Sequence, residues 1–380
     1  MLSSSIQTYL AICFCLFGVT PGYAQFVPSP PPQDSSGADQ GLAEMRLAVG
    51  AACAPGIRWD GPVSGPSGRS GAMVAIVSED LRNGGILGVA NGISEAAKEI
   101  GWTVKVYDAG GTPSGREKAV SSVVALKPDG VMLVGVDALQ IEPLLKPLAE
   151  RRVPIVGWHV GPFAGSLSEG PIAMNVSTNP LDVARITAKA AVVESRGRAG
   201  VVVFTDSNFA IAKAKSDAMV DVVKACAHCT LLEVRDIAIS KSAALMPVVT
   251  QELLARYGAR WTHALAVNDI YFDYAVPELT KARVPSNGIG MLSAGDGSAA
   301  AFLRIQAETF QIATVAEPLN LQGWQLVDEL NRLLARQPVT GFVIPVHLVT
   351  GENIAFDGGP MMRYDPDNGY RDIYRRIWKR

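Results

Sequence analysis

The chain of 380 residues carries 34 Lys and Arg residues against 36 Asp and Glu residues, which gives a formal net charge of −2. This balance lacks the basic excess of nucleic-acid-binding proteins, so we expect no nucleic-acid partner. A hydrophobic content of 48% with 18% charged residues indicates a well-buried core, and the length is sufficient for two domains.

Residues 1–24 have the features of a secretory signal peptide. The apolar stretch from Tyr9 to Val19 is too short to span a bilayer, and the small residues Gly22 and Ala24 fit cleavage after Ala24. No Lys or Arg occurs in these residues, so only the amino terminus supplies positive charge. We therefore predict an exported protein with a periplasmic location.

Residues 25–71 are rich in Pro, Gly and Ser, beginning with Pro28–Pro32. Such a composition buries little apolar surface, which predicts a disordered linker at the start of the segment. The bulkier stretch around Trp59 is expected to fold back onto the body of the protein.

A regular alternation of strand and helix patterns begins at Met73. Val74–Val77 is a continuous apolar run, as in a strand buried on both faces, and helical periodicity then extends to Gly101. Strands are predicted at Val74–Val77, Thr103–Tyr107, Gly130–Val134 and Ile155–Trp158, with helices at Gly88–Ile100, Gly115–Leu126 and Ile141–Arg151.

A second set of alternating patterns follows. Its strands are predicted at Gly200–Phe204, Thr230–Val234, Ala264–Val267 and Gly288–Leu292, and its helices at Pro180–Ser195, Ala210–Cys226, Lys241–Tyr257 and Phe272–Ala282. A later strand at Gln311–Val315 and a helix at Leu321–Arg336 complete the pattern, and Arg371–Arg380 is expected to form a helix on the second lobe. The two sets predict an α/β fold of two doubly wound parallel-sheet lobes with a cleft between their carboxyl edges.

The loop after the first strand allows a nucleotide-binding interpretation. Asn83 to Gly88 loosely matches a dinucleotide-binding turn, and Asp108 lies about where a ribose-binding acid is found, roughly twenty residues on. However, Gly84, Gly85 and Gly88 lack the G-x-G-x-x-G spacing, and the predicted export also argues against a nucleotide. We expect no cofactor.

Three cysteines remain after the predicted cleavage: Cys53, Cys226 and Cys229. A zinc site needs four ligands, and no second Cys/His pair has suitable spacing. A redox-active pair lacks a thioredoxin-like context. We predict a local disulfide between Cys226 and Cys229, as in an oxidising compartment, with Cys53 left free.

Polar or aromatic residues stand directly after several predicted strands, where buried strands would simply pass into turns. In parallel α/β sheets, ligands bind at these carboxyl ends of strands. The residues concerned are Trp158, His159, Asp206 to Phe209, Asn268, Asp296 and Glu317. No catalytic motif accompanies them, since the chain has no G-x-S-x-G elbow, metal-spaced His pair or phosphate loop. We predict a binding protein without enzymatic activity or a metal.

Five stretches resemble one known family. They read VAIVSEDLRNGGILGVANGISEAAKEIGW, KPDGVMLVGVD, VPIVGWH, ALAVNDIYFDYAVPEL and SAGDGSAAAFLRIQAETFQIATVAEPLNLQGW, and together they span Met73 to Arg336. Their order and spacing are similar to the periplasmic sugar-binding proteins of ABC importers, of the ribose/galactose-binding type with a type I fold. This resemblance implies two lobes joined by three crossover hinge segments, and a carbohydrate-like ligand in the cleft.

The resemblance also implies a set of ligand contacts. Asn83, Asn268 and Asp296 match polar contacts of the family. Lys213 stands where the family has an arginine, His159 where it has an acid and Glu317 where it has a glutamine. These contacts would suit neighbouring hydroxyl groups.

The aromatic residues that stack on sugar rings in this family are missing here. Gly85 and Ile86 occupy their positions, so Trp158 or Phe209 is expected to supply the stacking face. His159 and Glu317 indicate a ligand other than a plain aldopentose, such as an amino, acidic or oxidised sugar or a polyol.

We therefore expect a monomeric, exported protein that delivers a small carbohydrate-like ligand to an ABC permease. A periplasmic sensor that presents the same ligand to a chemoreceptor or histidine kinase is the alternative. The predicted lobes are residues 72–178 with 318–345 and residues 179–317 with 346–380.

Overall fold

This computed structural model describes residues 36–55, 58–358 and 361–379, so the predicted signal peptide lies outside the described residues. The elements begin as α1 (Ser36–Ala52), β1 (Met73–Ser78), α2 (Gly84–Ile100), β2 (Thr103–Asp108), α3 (Pro113–Leu126), β3 (Gly130–Val134), α4 (Ala138–Glu150), β4 (Ile155–Trp158), β5 (Gly165–Ser166) and β6 (Ile172–Val176). They continue as α5 (Pro180–Glu194), β7 (Gly200–Thr205), α6 (Ala210–Ala225), β8 (Thr230–Asp236), α7 (Ser242–Tyr257), β9 (His263–Ala266), α8 (Ile270–Lys281), β10 (Gly290–Ser293), α9 (Ala299–Gln306), β11 (Gln311–Val315), α10 (Leu319–Leu334), β12 (Leu348–Thr350), α11 (Ile354–Asp357) and α12 (Tyr370–Trp378).

The strands form two six-stranded sheets of similar winding. The first has the order β2-β1-β3-β4-β6-β5 and the second β12-β11-β10-β9-β7-β8. All pairings are parallel except those of the edge strands β5 and β12, which are antiparallel to their neighbours. The two predicted doubly wound lobes are therefore confirmed. In each sheet the strand order reverses beside the first strand, β1 or β7, and a crevice for ligands opens at such switch points.

Both faces of the first sheet are buried, as the apolar run of β1 requires. Val74 and Ile76 point into a core shared with α2 and α10, whereas Ala75 and Val77 point into a second core with α3 and α4. The crossing of α2 over α10 is close because two glycines meet there. A Cβ on Gly323 would lie 2.5 Å from the carbonyl carbon of Gly92, so this packing fixes α2 beside the cleft.

All helices and strands predicted between Val74 and Arg336 occur. The largest difference at an end is the start of α2, at Gly84 rather than Gly88, because Asn83 caps the helix by accepting a hydrogen bond from Gly85 N at 2.9 Å. The short strands β5, β6 and β12 and the helices α9 and α11 were not predicted.

Between β1 and β12 three segments cross between the lobes, as the resemblance implies, and the described chain also crosses from α1 to β1 and from α11 to α12. The three segments connect β6 to α5, β11 to α10, and α10 to β12. Glu317 lies on the second segment, and Thr178 N on the first donates to its Oε2 at 3.4 Å. The first two crossover segments are thus joined by a hydrogen bond beside the cleft.

The disordered linker predicted at the start of residues 25–71 lies outside the described residues, which begin at residue 36. Residues 36–52 form α1, which packs on α5 of the second lobe and buries Ala52 there. The alanine and leucine residues of α1 favour a helix. This helix was not predicted because the flanking prolines dominate the composition of the whole segment. Trp59 does fold back as expected, with its ring 5.5 Å from those of Phe342 and Tyr374.

The C-terminal helix forms, but its predicted place on the second lobe is wrong. Tyr374 and Trp378 of α12 are buried in the core of the first lobe, where the Trp378 ring stacks on Trp324 at 5.5 Å. Trp378 Nε1 also donates to Asp328 of α10 at 2.9 Å. The first lobe thus includes residues that the sequence interpretation gave to the second.

The predicted disulfide joins Cys226 to Cys229 at the end of α6. Cys53 is half-buried and has no disulfide partner among the described residues, and burial together with Glu352 and Asp357 raises its pKa to about 11. Within the described part of the chain, no helix is both long and apolar enough to cross a bilayer.

Candidate ligand-binding site

A cavity of about 260 Å³ lies between the two lobes at the carboxyl ends of their strands. The loop after β1 contributes Glu79, Asp80 and Asn83 from the first lobe. The loop after β7 contributes Asp206, Asn208 and Phe209 from the second lobe. The lining is therefore polar and charged on both sides, with apolar surface from Ile86, Trp158 and Phe209.

Asp296 and Asn268 form a buried polar pair on the second-lobe side. Asn268 Nδ2 donates to Asp296 Oδ2 at 2.8 Å, and both residues line the cavity. Asp269 holds the supporting loop, because its Oδ2 accepts hydrogen bonds from Gly297 N at 2.8 Å and Ser298 N at 3.1 Å. This network fixes the position of the Asp296 carboxylate in the cleft.

His159 connects the first lobe to the hinge. Its φ of 53° lies in the left-handed region, which non-glycine residues rarely adopt and which often marks functional positions. The imidazole Nε2 donates to Glu317 Oε1 at 2.9 Å, and Nδ1 lies 3.9 Å from Asp296 Oδ1. The Trp158 ring stacks on the imidazole at 3.7 Å, and its Nε1 donates to Gln322.

Burial and charge act in opposite directions on the two acids of this cluster. Burial raises the pKa of Asp296 to about 6, although His159 and Lys215 oppose the shift. Burial alone would also raise the pKa of Glu317, but the charge and hydrogen bond of His159 lower it to about 2. Glu317 is therefore ionised near neutral pH, and Gln322 Nε2 donates to its second oxygen at 2.6 Å.

A second charge pair lies on the first-lobe side of the cavity. Arg116 Nη1 donates to Glu79 Oε1 at 2.6 Å, and both side chains are buried. Burial outweighs the favourable charge of Arg116 and raises the pKa of Glu79 to about 7. Among the described residues nothing donates to Glu79 Oε2, so this cavity-lining carboxyl has an acceptor left for a ligand.

His159, Asp296 and Glu317 offer three ligand atoms within 4.8 Å of one another, which is a possible arrangement for a metal ion. Lys215 argues against that use. Its ammonium donates to Ala294 O at 2.7 Å and acts electrostatically on both carboxylates. A divalent cation would be repelled by this charge, so we interpret the group as a hydrogen-bonded charge cluster.

A family model described as periplasmic binding protein domain matches residues 74–338, more than half of the chain. The chain belongs to this periplasmic binding protein family. No curated protein matches the sequence.

Solved structures share the architecture of this periplasmic binding protein at low identity. A solute-binding protein of an Agrobacterium vitis ABC transporter, bound to α-D-tagatopyranose, has a TM-score of 0.68 at 16% identity, with 77% of this chain and 99% of that chain covered. The Caulobacter myo-inositol binding protein has a TM-score of 0.65 at 19% identity, covering 76% and 96%. The two six-stranded lobes match the type I periplasmic binding protein fold of these neighbours.

The structure brings most of the sequence-predicted residues of this binding protein to the cleft. The cavity is lined by Asn83, Trp158, His159, Phe209, Asn268 and Asp296. Asn83 also caps α2 through Oδ1, which leaves its Nδ2 for a ligand. Glu317 lies behind His159 and is buried, so its contact with the cavity is indirect.

Lys213 is not brought to the cavity. It lies on the exposed side of α6, where its Nζ donates to Asp217 at 2.5 Å. Lys215, two residues later and so on the opposite face of the helix, is buried and lines the cavity. The resemblance indicated Lys213, whereas the lysine that lines the cavity is Lys215, half a helical turn away.

Two further cavity residues were missed by the sequence analysis although signals for them existed. Lys215 interrupts the apolar face formed by Ile211, Ala212 and Met219, and a lone charge on such a face is unusual without a partner or ligand. Glu79 directly follows the buried strand β1, so the strand-end rule applied elsewhere also identifies it. The position of Arg116 at the cavity depends on how α3 packs, and no pattern in the sequence indicates it.

Proposed function

We propose that this chain is an exported solute-binding protein that captures a small carbohydrate-like ligand between its lobes and delivers it to an ABC permease. The observation that carries the proposal is the buried Asn268–Asp296 pair in an interlobe cavity. Such a pair accepts from and donates to adjacent hydroxyl groups, as sugars and polyols require.

The size and lining of the cavity support a ligand of monosaccharide size. Its volume of about 260 Å³ is just below the range of roughly 300–1,000 Å³ that holds drug-sized molecules. Acceptors on Glu79 and Asp296 come from opposite lobes, and Asn83 and Lys215 add donors. A ligand with hydroxyl groups around its whole edge can satisfy both lobes and favour closure.

A thermal-shift panel tests the ligand class. It includes D-ribose, D-galactose, D-tagatose, allitol, myo-inositol, D-glucuronate and D-glucosamine, and at least one class is expected to raise the melting temperature of the wild-type protein. For the best compound, isothermal titration of Asp296→Asn and Asn268→Ala is expected to show affinity at least about tenfold weaker. Unchanged affinity in both variants contradicts the site, and no shift with any compound contradicts the ligand class.

Delivery to a permease is tested in cells. Deletion of the gene is expected to abolish uptake of the radiolabelled panel compound, and the wild-type gene to restore it, whereas Asp296→Asn does not. Normal uptake with loss of chemotaxis towards the same compound would instead favour a sensory role.

A further inference from the structure

Asp137 of the first lobe lies between the N-termini of two helices that belong to different lobes. Its Oδ1 accepts from Leu139 N at 2.9 Å and so caps its own helix, α4. Its Oδ2 accepts from Ala210 N of the second lobe at 2.7 Å. The side chain is buried between the lobes at the rim of the cleft and lies outside the cavity lining.

The second of these bonds supplies a cap that α6 lacks. Phe209 is the residue at the N-cap position of α6, and its side chain has no oxygen to accept from the first amides. Asp137 takes that place from across the cleft, and its carboxylate also lies at the positive end of the α6 dipole. A neighbouring bond, from Gln140 Nε2 to Asn208 O, crosses at the same rim.

We propose that Asp137 is an interlobe latch that stabilises the closed form by capping α6 from the opposite lobe. The proposal rests on the proposed function, because a latch matters only if the lobes open and close around a ligand. Opening breaks the bond to Ala210 but leaves the bond to Leu139, which lies within the first lobe. Asp137 therefore raises ligand affinity without touching the ligand, since affinity is reduced by the fraction of protein that is not closed.

The two carboxylate oxygens allow the latch to be separated from the cap of α4. In Asp137→Asn, the amide oxygen still accepts from Leu139 N, and asparagine is as good an N-cap as aspartate. The amide nitrogen then faces Ala210 N and cannot accept from it. Asp137→Ser likewise keeps the α4 cap but is too short to reach across the cleft, whereas Asp137→Ala removes both bonds.

Hydrogen exchange in the ligand-free protein tests the latch without any knowledge of the ligand. In Asp137→Asn and Asp137→Ser, exchange of the Ala210 amide is expected to be faster than in the wild type by up to about five- to tenfold, the full effect of losing one cap. The matched control is the Leu181 amide of α5, which is capped by Asn179 of its own lobe and is expected to exchange unchanged. An Ala210 amide that exchanges at the wild-type rate with no accompanying loss of ligand affinity overturns the proposal.

Affinity gives the second readout. For whichever panel compound binds the wild type, Asp137→Asn is expected to weaken binding by a factor that, multiplied by the acceleration of Ala210 exchange, comes to about five- to tenfold, because the two effects share the loss of one cap. Asp137→Ala is expected also to lose the cap of α4, and so to lower the ligand-free melting temperature further. A product near one in Asp137→Asn reduces Asp137 to a cap of α4 and overturns the latch. If no panel compound binds, the proposed function fails, and the exchange of the Ala210 amide still decides the latch.

Discussion

The carboxylate of Asp296 in the second lobe lies directly against the backbone of Gly85 in the first. A Cβ at position 85 would lie 2.7 Å from both Cβ and Cγ of Asp296, closer than real side chains approach. Gly85 is also one of the two positions where the family resemblance implies an aromatic stacker. A ring at position 85 would collide with the Asp296 carboxylate of the opposite lobe.

Gly85→Ala is therefore expected to obstruct lobe closure. Overpacking of this kind costs about 1–3 kcal/mol, and here the cost falls on the closed form alone, so affinity for the panel compound drops by about tenfold or more. Isothermal titration measures the drop. Gly50→Ala is the control, because a Cβ on Gly50 in α1 meets nothing within 4 Å. Equal affinity in Gly85→Ala and Gly50→Ala would show that position 85 is open in the bound state.

The two lysines of α6 provide a matched pair of variants. Lys215→Met is expected to weaken binding of the panel compound by tenfold or more, because a charged hydrogen bond is worth about 1.5–3 kcal/mol. Lys213→Met removes only an exposed ion pair with Asp217 and is expected to bind like the wild type. Titration calorimetry on both variants decides the assignment, and the reverse order of effects would restore Lys213 as the contact.

Glu79 is expected to make the ligand-free protein less stable as the pH rises. Its folded pKa of about 7 lies above the ordinary value of 4.5, so between these values the folded state holds more protons than the unfolded state. The free energy of unfolding then falls from pH 4.5 to pH 7, by up to about 3 kcal/mol. Asp296, with a raised pKa of about 6, acts in the same direction at lower pH.

Glu79→Gln isolates this contribution, since the amide oxygen can still accept from Arg116. Urea unfolding at several pH values is expected to show a flatter profile for the variant between pH 4.5 and 7. Parallel profiles for variant and wild type would mean that Glu79 titrates normally.

Glu317 has the opposite linkage. Its folded pKa of about 2 lies below the ordinary value of 4.5, so its stabilising effect is present above pH 4.5 and is lost as the pH falls towards 2. Glu317→Gln is expected to lower the free energy of unfolding at pH 7 by about 3 kcal/mol. Urea unfolding from pH 7 to pH 3 checks this: the difference from the wild type should stay nearly constant down to about pH 5 and shrink below about pH 4.5. A constant difference over that range would argue against an ionised Glu317 paired with His159.

The strands were predictable because their apolar runs are buried on both faces, as Val74 to Val77 illustrate. The cleft was predictable because parallel strands end at one edge, which brought Asn268 and Asp296 together. Asp296 of the second lobe excludes an aromatic ring at position 85. This contact depends on how the two lobes meet, which no local sequence pattern predicts.

The other errors have local physical causes. Lys213 and Lys215 are only two residues apart on α6, and a distant family resemblance does not determine which of them faces the cavity. The burial of Lys215 in the structure does. Helix α12 was expected on the second lobe, but Trp378 packs on Trp324 in the first lobe, a contact made only after the chain crosses back. Helix α1 was hidden by the prolines on either side of it.

A crystal structure of the wild-type protein with the panel compound that gives the largest thermal shift tests the central claim most directly. We expect one molecule of that compound between the lobes, with hydroxyl groups within hydrogen-bond distance of Asp296 and Asn268 and a further group at Glu79 Oε2. A compound bound outside the cavity, or an interlobe cavity empty at saturating concentration, would contradict the account.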